Sequence, residues 1–207
     1  MSATPRERVV VVGNGMAGSR FVQELIERDL DRRLDITVVG DEPGGAYNRM
    51  LLSNVLAGMT AADDIELAGE AWYERNAVSL FTGVAVVGID RKARCIQLSD
   101  GESLPYDALV LATGSDPVIP PVTGLRRDAG DLVDGVLSFR TAGDCADIRR
   151  RAAHARSAVV VGGGVLGLEA ARGLVGLGVT TTVVERGARL MAQQLDSGAA
   201  RVFARAV

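Results

Sequence analysis

The sequence predicts an α/β fold of two strand–helix–strand units with parallel sheets, the first carrying a β-meander crossover. Three segments carry that prediction. They are VVVVGNGMAGSR at residues 9–20, VVVGGGVLGLEAA at residues 159–171 and, between them, YDALVLATGSDP at residues 106–117. The first and second stand about 150 residues apart, and each follows a valine run and opens a helical pattern. A lone GxGxxG recurs by chance because glycine is common, whereas two copies in strand-to-helix context are far more specific. They point to two Rossmann-like dinucleotide-binding units, and a flavin beside a nicotinamide makes chemical sense of such a pair.

The glycines have separate tasks in such a turn. Gly13 and Gly162 permit the sharp reversal from strand to helix. Gly15 and Gly164 remove a Cβ that would collide with phosphates, and Gly18 and Gly167 let the helix pack closely. The amide hydrogens around Met16, Ala17, Val165 and Leu166 then face the anion, helped by the positive end of the helix dipole. An acid at the end of the following strand completes the pattern by bonding the adenosine ribose. In the second copy the strand at residues 180–184 ends at Glu185, 23 positions after Gly162. In the first copy the strand at residues 35–39 ends at Gly40, and the acid comes later, as Asp41 or Glu42.

The remaining elements follow in order. Residues 16–28 place apolar side chains at 17, 21, 25 and 26 and charges at 20, 24, 27 and 28, the pattern of an amphipathic helix. Residues 41–58 read as a loop containing Pro43, Gly44 and Gly45, and residues 63–76 as a short helical stretch with Trp72 and Tyr73. A meander is expected over residues 84–89, 95–98 and 104–106, with a turn at Asp100 and Gly101, followed by a buried strand at 108–112. PVIPPVTG at residues 117–124 begins a linker extending to 140, a helix covers 141–156, a strand 158–161, and a last helix 199–206. The expected domains are residues 1–116, residues 141–207, and the linker 117–140.

Composition excludes several classes of function. With 207 residues, 47% hydrophobic, 24% charged and a net charge of −3, the chain suits a soluble enzyme with one or two cored domains. Arginine and lysine total 23 against 26 acids, which leaves no basic surface for nucleic acid. No apolar run approaches the ~20 residues of a membrane span, and the four valines after Arg8 are too few for a signal-peptide core. A cytoplasmic location is expected. Cys95 and Cys145 lie 50 residues apart, which fits neither a CxxC nor a metal pattern, and His154 sits in a charged stretch. No side chain is expected to act as catalyst, and no metal is expected.

Through these motifs the chain resembles the two-dinucleotide-binding flavoproteins (pyridine nucleotide–disulfide oxidoreductase fold), from Val9 to about Asp196. The resemblance implies FAD on the first fingerprint and NAD(P)H on the second, with Ala112, Thr113 and Gly114 on the return strand of the FAD domain. GDEPGGAYNRMLLSNVLAG, residues 40–58, looks most like the flavin module of the NAD(P)H nitrite reductase large subunit, and is also similar to ferredoxin and rubredoxin reductases. Carried over, Asp41 faces the FAD ribose, Arg49 and Ser53 the pyrophosphate and flavin, Val86 the adenine, and Arg140 the flavin. Asn54 stands where ferredoxin reductases usually have lysine, which favours the nitrite-reductase type, and the absence of cysteine from 41–58 excludes a thiol mechanism. The resemblance also implies a fragment. A second FAD contact, an interface domain and the cysteines for sirohaem and an iron–sulfur cluster belong beyond these 207 residues. A small subunit or electron-acceptor protein is the implied partner, and NADH the favoured nicotinamide. A ferredoxin- or rubredoxin-type reductase and a non-catalytic nucleotide-binding fragment remain the alternatives.

Overall fold

The computed structural model describes residues 5–128 and 130–207, so part of the N-terminal MSATPRER stretch lies outside the described residues. The chain forms two compact units. One runs through Asn48 and resumes over Ile65–Ser115; the other comprises Arg49–Asp64 and Asp116–Val207.

In the first unit, β1 (Glu7–Val12), β2 (Leu34–Val39), β5 (Ser79–Phe81) and β9 (Ala108–Leu111) make a parallel sheet in the order β5-β2-β1-β9. Val9, Val10, Val11 and Val12 are all buried, at 6%, 2%, 0% and 7% exposure. A central parallel strand is covered on both faces, which is why it reads as an unbroken apolar run. One face packs with Val22 of α1 (Met16–Arg28), Ile36, Val38 and Tyr73. The other packs with Ile96, Leu98 and Tyr106 of the meander region.

That meander is β6 (Val86–Asp90), β7 (Cys95–Leu98) and β8 (Ser103–Pro105), an antiparallel sheet in sequence order. Asp107 then ties the return strand to the first. Its carboxylate accepts from the Arg8 amide and from both Nε and Nη2 of the Arg8 guanidinium, each at 2.9 Å.

In the second unit, β10 (Ser157–Val161) and β11 (Thr180–Val184) pair in parallel and α5 (Val165–Gly176) connects them. Ala158 and Val160 pack with Leu174 and Val179, whereas Val159, Val161 and Val184 on the opposite face are 64%, 61% and 50% exposed. α4 (Ala142–Ala152) begins at a reciprocal cap: Thr141 Oγ1 accepts the Asp144 N–H, and the Asp144 carboxylate accepts the Thr141 N–H. α6 is Ser197–Phe203. Among the described residues, no helix is long and apolar enough to cross a membrane.

Several elements differ from the sequence expectation. The loop at 41–58 contains β3 (Ala46–Tyr47) and the short helix α2 (Leu52–Leu56). The stretch 63–76 is helical only at α3 (Glu70–Arg75) and a 3-10 turn at Asp63–Ile65, and between them β4 (Glu66–Ala68) pairs with β3. β5 is a three-residue parallel strand, too short to show a period. The strand over 108–112 is a partly covered edge and not a buried strand, with Leu111 61% exposed. The segment 49–64, grouped with the first domain from sequence, folds with the second unit. There α2 lays Leu56 against Gly173 of α5, and Arg149 of α4 donates from Nη1 to the carbonyls of Val55 and Leu56 at 2.9 Å each.

Candidate functional site: two glycine turns at helix N-termini

The two fingerprints fold into the same local structure. Gly13 and Gly162 adopt φ of +109° and +117°, in a region L side chains avoid. Each donates its N–H to the last residue of the neighbouring strand: Gly13 to the Val39 carbonyl and Gly162 to the Val184 carbonyl, both at 2.8 Å. A Cβ on Gly18 would lie 1.9 Å from the Gly13 carbonyl oxygen, and one on Gly167 would lie 2.1 Å from that of Gly162. The third glycine is therefore required by the turn itself.

The middle glycines behave differently. Gly15 and Gly164 are extended, with φ of −83° and −80°, and nothing lies within 4 Å of where a Cβ would stand. Neither backbone conformation nor protein packing calls for glycine at these positions, and the space where a side chain would stand is clear. The donors facing it suit an anion. The first intrahelical bonds run from Ser19 N–H to the Gly15 carbonyl at 2.9 Å and from Leu168 N–H to the Gly164 carbonyl at 3.0 Å. The amides of Met16, Ala17 and Gly18, and of Val165, Leu166 and Gly167, precede those bonds and have no intrahelical acceptor. Neither α1 nor α5 has a side-chain N-cap or an acid in its first turn, whereas α4 and α6 are capped by Thr141 and Asp196. Open amides, a helix dipole and space without a Cβ fit the pyrophosphate of a dinucleotide.

Around the first turn the structure gathers the return strand. A Cβ on Gly13 would meet the Ala112 carbonyl oxygen at 2.2 Å, and the Ala112 N–H donates to the Val12 carbonyl at 2.7 Å. Thr113 and Gly114 continue from there, with Gly114 at φ +71°. Beyond β2, Asp41 is exposed, and the Glu42 carboxylate accepts from the Tyr47 hydroxyl at 2.5 Å. Val86 begins β6. Arg49 lies on the 3-10 turn Arg49–Leu51, Ser53 lies on α2, and Arg140 precedes the Thr141 cap, all three in the second unit. Two side chains that the sequence reading passed over stand at the first turn. Tyr73, 1% exposed, donates its hydroxyl to Asn14 Oδ1 at 2.5 Å. The signal for Asn14 was the polar residue inside GNG; Tyr73, 59 positions away, had none.

At the second turn, Glu185 stands at the end of β11. Its Oε2 accepts the Gly163 N–H at 2.7 Å and its Oε1 the Gly187 N–H at 2.6 Å. These backbone bonds, from Gly187 first and Gly163 second, hold the carboxyl below the usual glutamate range, so it is anionic at neutral pH.

The chain is 41% identical over 199 residues to the assimilatory nitrate reductase electron transfer subunit of Bacillus subtilis, covering 96% of this chain and 25% of that protein. It is 39% identical to the NADH nitrite reductase large subunit of Escherichia coli, covering 91% of this chain and 22% of the relative. It thus spans about a quarter of the length of either. Among solved structures, putidaredoxin reductase in its covalent complex with putidaredoxin aligns at TM-score 0.83 and 28% identity, over 98% of this chain and 48% of that one. Residues 7–207 match the family described as pyridine nucleotide-disulphide oxidoreductase. The chain belongs to that family.

Proposed function

We propose that this chain is the nucleotide-binding module of an FAD-dependent NAD(P)H oxidoreductase, with the glycine turn at residues 13–18 belonging to the FAD domain and that at residues 162–167 to the NAD(P)H domain. The observation that carries the reading is the pair of uncapped helix N-termini at Gly15 and Gly164, each with clear space where a side chain would stand. The first turn holds the FAD pyrophosphate on the amides of Met16, Ala17 and Gly18, with Ala112, Thr113 and Gly114 beside it. The second holds the nicotinamide dinucleotide on Val165, Leu166 and Gly167. The chemistry supplied by the bound pair is hydride transfer from nicotinamide to flavin and release of electrons to an acceptor. The protein binds, orients and sets the local charge.

Glu185, anionic and at the ribose position, accepts hydrogen bonds from ribose hydroxyls and repels a 2′-phosphate, so NADH is the preferred nicotinamide. The family resemblance assigns Arg49, Ser53, Val86 and Arg140 to the flavin cofactor. Nitrite reduction is the favoured terminal reaction, on the resemblance to the nitrate and nitrite reductase proteins at 39–41% identity. A ferredoxin-type reductase is the second reading, supported by the 35%-identical rhodocoxin reductase of Rhodococcus erythropolis. Sirohaem and iron–sulfur chemistry belong to other parts of a full-length reductase, together with any small subunit or electron-acceptor protein.

The test is a visible spectrum of the purified chain reconstituted with FAD, followed by anaerobic addition of NADH. Bound flavin that bleaches with NADH supports the oxidoreductase reading. Failure to bind FAD would make the chain a non-catalytic fragment, and bleaching by NADPH alone would overturn the nicotinamide assignment.

A further inference from the structure

The hydrogen bond from the first glycine to the end of the neighbouring strand gives an internal ruler. Gly13 to Val39 in the first unit matches Gly162 to Val184 in the second, both at 2.8 Å. Counting one residue onward from each partner, Asn14 corresponds to Gly163 and Gly40 corresponds to Glu185. At this pair of positions the two units exchange their side chains.

In the second unit the strand-end residue supplies the side chain. Glu185 lies over Gly163, where a Cβ would stand 3.1 Å from the Glu185 Cβ. In the first unit the turn residue supplies it. Asn14 lies over Gly40, where a Cβ would stand 2.8 Å from the Asn14 Cβ. In the first unit Asn14 fills this corner; in the second Glu185 shares it with Leu190, whose Cδ2 would lie 2.5 Å from a Gly163 Cβ, and in each unit the glycine opposite makes room. The corner is the place where a strand-end acid bonds the adenosine ribose.

We infer that Asn14, oriented by Tyr73, is the ribose-binding residue of the first dinucleotide site and replaces the strand-end acid; the inference rests on the FAD reading above. The Tyr73 hydroxyl donates to Asn14 Oδ1 at 2.5 Å, which leaves the two Nδ2 hydrogens as the free function of the amide. Burial pushes the Tyr73 phenol up, so it stays protonated and keeps donating throughout the working pH range. Trp72 holds the ring edge-on, with centroids 5.0 Å apart at 89°. Tyr73 is a positioning residue and Asn14 the group that meets the nucleotide. The ribose therefore meets a neutral donor in the first site and a carboxylate acceptor in the second. Glu42, the later acid, is engaged with Tyr47.

The experiment measures FAD affinity of the full chain by flavin fluorescence titration, with ADP competition reporting the adenosine half alone and circular dichroism reporting folding. Asn14→Ala and Tyr73→Phe are expected to weaken FAD and ADP alike by about tenfold, on the scale of one hydrogen bond, while NADH binding is unchanged. Gly40→Glu alone is expected to weaken FAD by more than about tenfold, because its Cβ meets that of Asn14. The double variant Asn14→Gly with Gly40→Glu transplants the second unit's arrangement and is expected to recover binding to within about threefold of wild type. Asn14→Gly with Gly40→Ala relieves the same clash without supplying an acid and is expected to bind FAD about tenfold more weakly than the pair carrying Glu, which separates ribose recognition from steric relief. Tyr73→Phe removes one hydroxyl without changing shape, so the test survives if Asn14→Ala does not fold. Wild-type affinity in folded Asn14→Ala or Tyr73→Phe, or a double variant no better than Gly40→Glu alone, overturns the inference. A wild-type chain that binds no FAD refutes the functional reading, and the inference with it, before any variant is compared.

Discussion

Replacing Gly15 with valine separates binding from folding more cleanly than any other single change. The residue is extended at φ −83° and ψ −171°, a conformation valine adopts readily, and nothing lies within 4 Å of the new Cβ. Losing a glycine at a compatible position restricts the unfolded chain and stabilises by about 0.4–1 kcal/mol. The branched side chain, against this, slightly disfavours the helix start, so the expected change in stability is within about 1 kcal/mol either way. The same side chain occupies the clear space at the helix N-terminus, where the Met16, Ala17 and Gly18 amides lack intrahelical acceptors. A pyrophosphate cannot approach those donors without meeting it. Loss of the contacts should weaken FAD by at least about 100-fold, equivalent to roughly 2.7 kcal/mol. Urea unfolding and fluorescence titration with FAD, run on the same preparation, measure the two quantities. A folded Gly15→Val with wild-type FAD affinity would falsify the assignment of this turn to the pyrophosphate. An unfolded variant would contradict the clearance around Gly15.

Three further outcomes are expected. Gly18→Ala, whose Cβ would stand 1.9 Å from the Gly13 carbonyl oxygen, should cost about 2–3 kcal/mol in urea unfolding whether or not nucleotide is present; an unperturbed midpoint would show that the turn yields freely. Glu185→Gln removes the charge together with one of the two oxygens that accept the Gly163 and Gly187 N–H groups, and should narrow the NADH preference over NADPH by about tenfold in dissociation constants; an unchanged ratio would remove Glu185 from the discrimination. Asp107→Asn tests the tie between β1 and β9. The Arg8 guanidinium and amide hold the Asp107 carboxyl far below its ordinary 3.8, so its contribution is complete above that pH and disappears as acid protonates the folded form. The Tm gap between wild type and Asp107→Asn should therefore be largest near neutrality and close on acidification; a gap independent of pH would refute the charged pairing.

What the sequence determined by itself lies in local segments. The turns at residues 13–18 and 162–167 were legible because their requirements are met within six residues: a positive φ, a clear Cβ direction and a carbonyl against the third glycine. The boundaries of α1 and β11 were legible because amphipathic spacing and a β-branched run declare themselves locally. What the tertiary structure alone decided depends on partners far along the chain. β5 is a strand because Phe81 and its neighbours pair with β2 over 42 positions, and three residues show no period. Residues 41–58 read as a loop, and only the tertiary structure makes Leu52–Leu56 a helix that lays Leu56 against Gly173 and offers the Val55 and Leu56 carbonyls to Arg149. The same holds for the corner proposed to meet the first ribose. A spacing rule finds Glu185 and looks for its counterpart among Asp41 and Glu42, yet the strand-to-turn hydrogen bond places Gly40 there and sets Asn14 above it. Spacing measures distance along the chain, whereas a binding corner is defined by which backbone groups hydrogen-bond across the sheet.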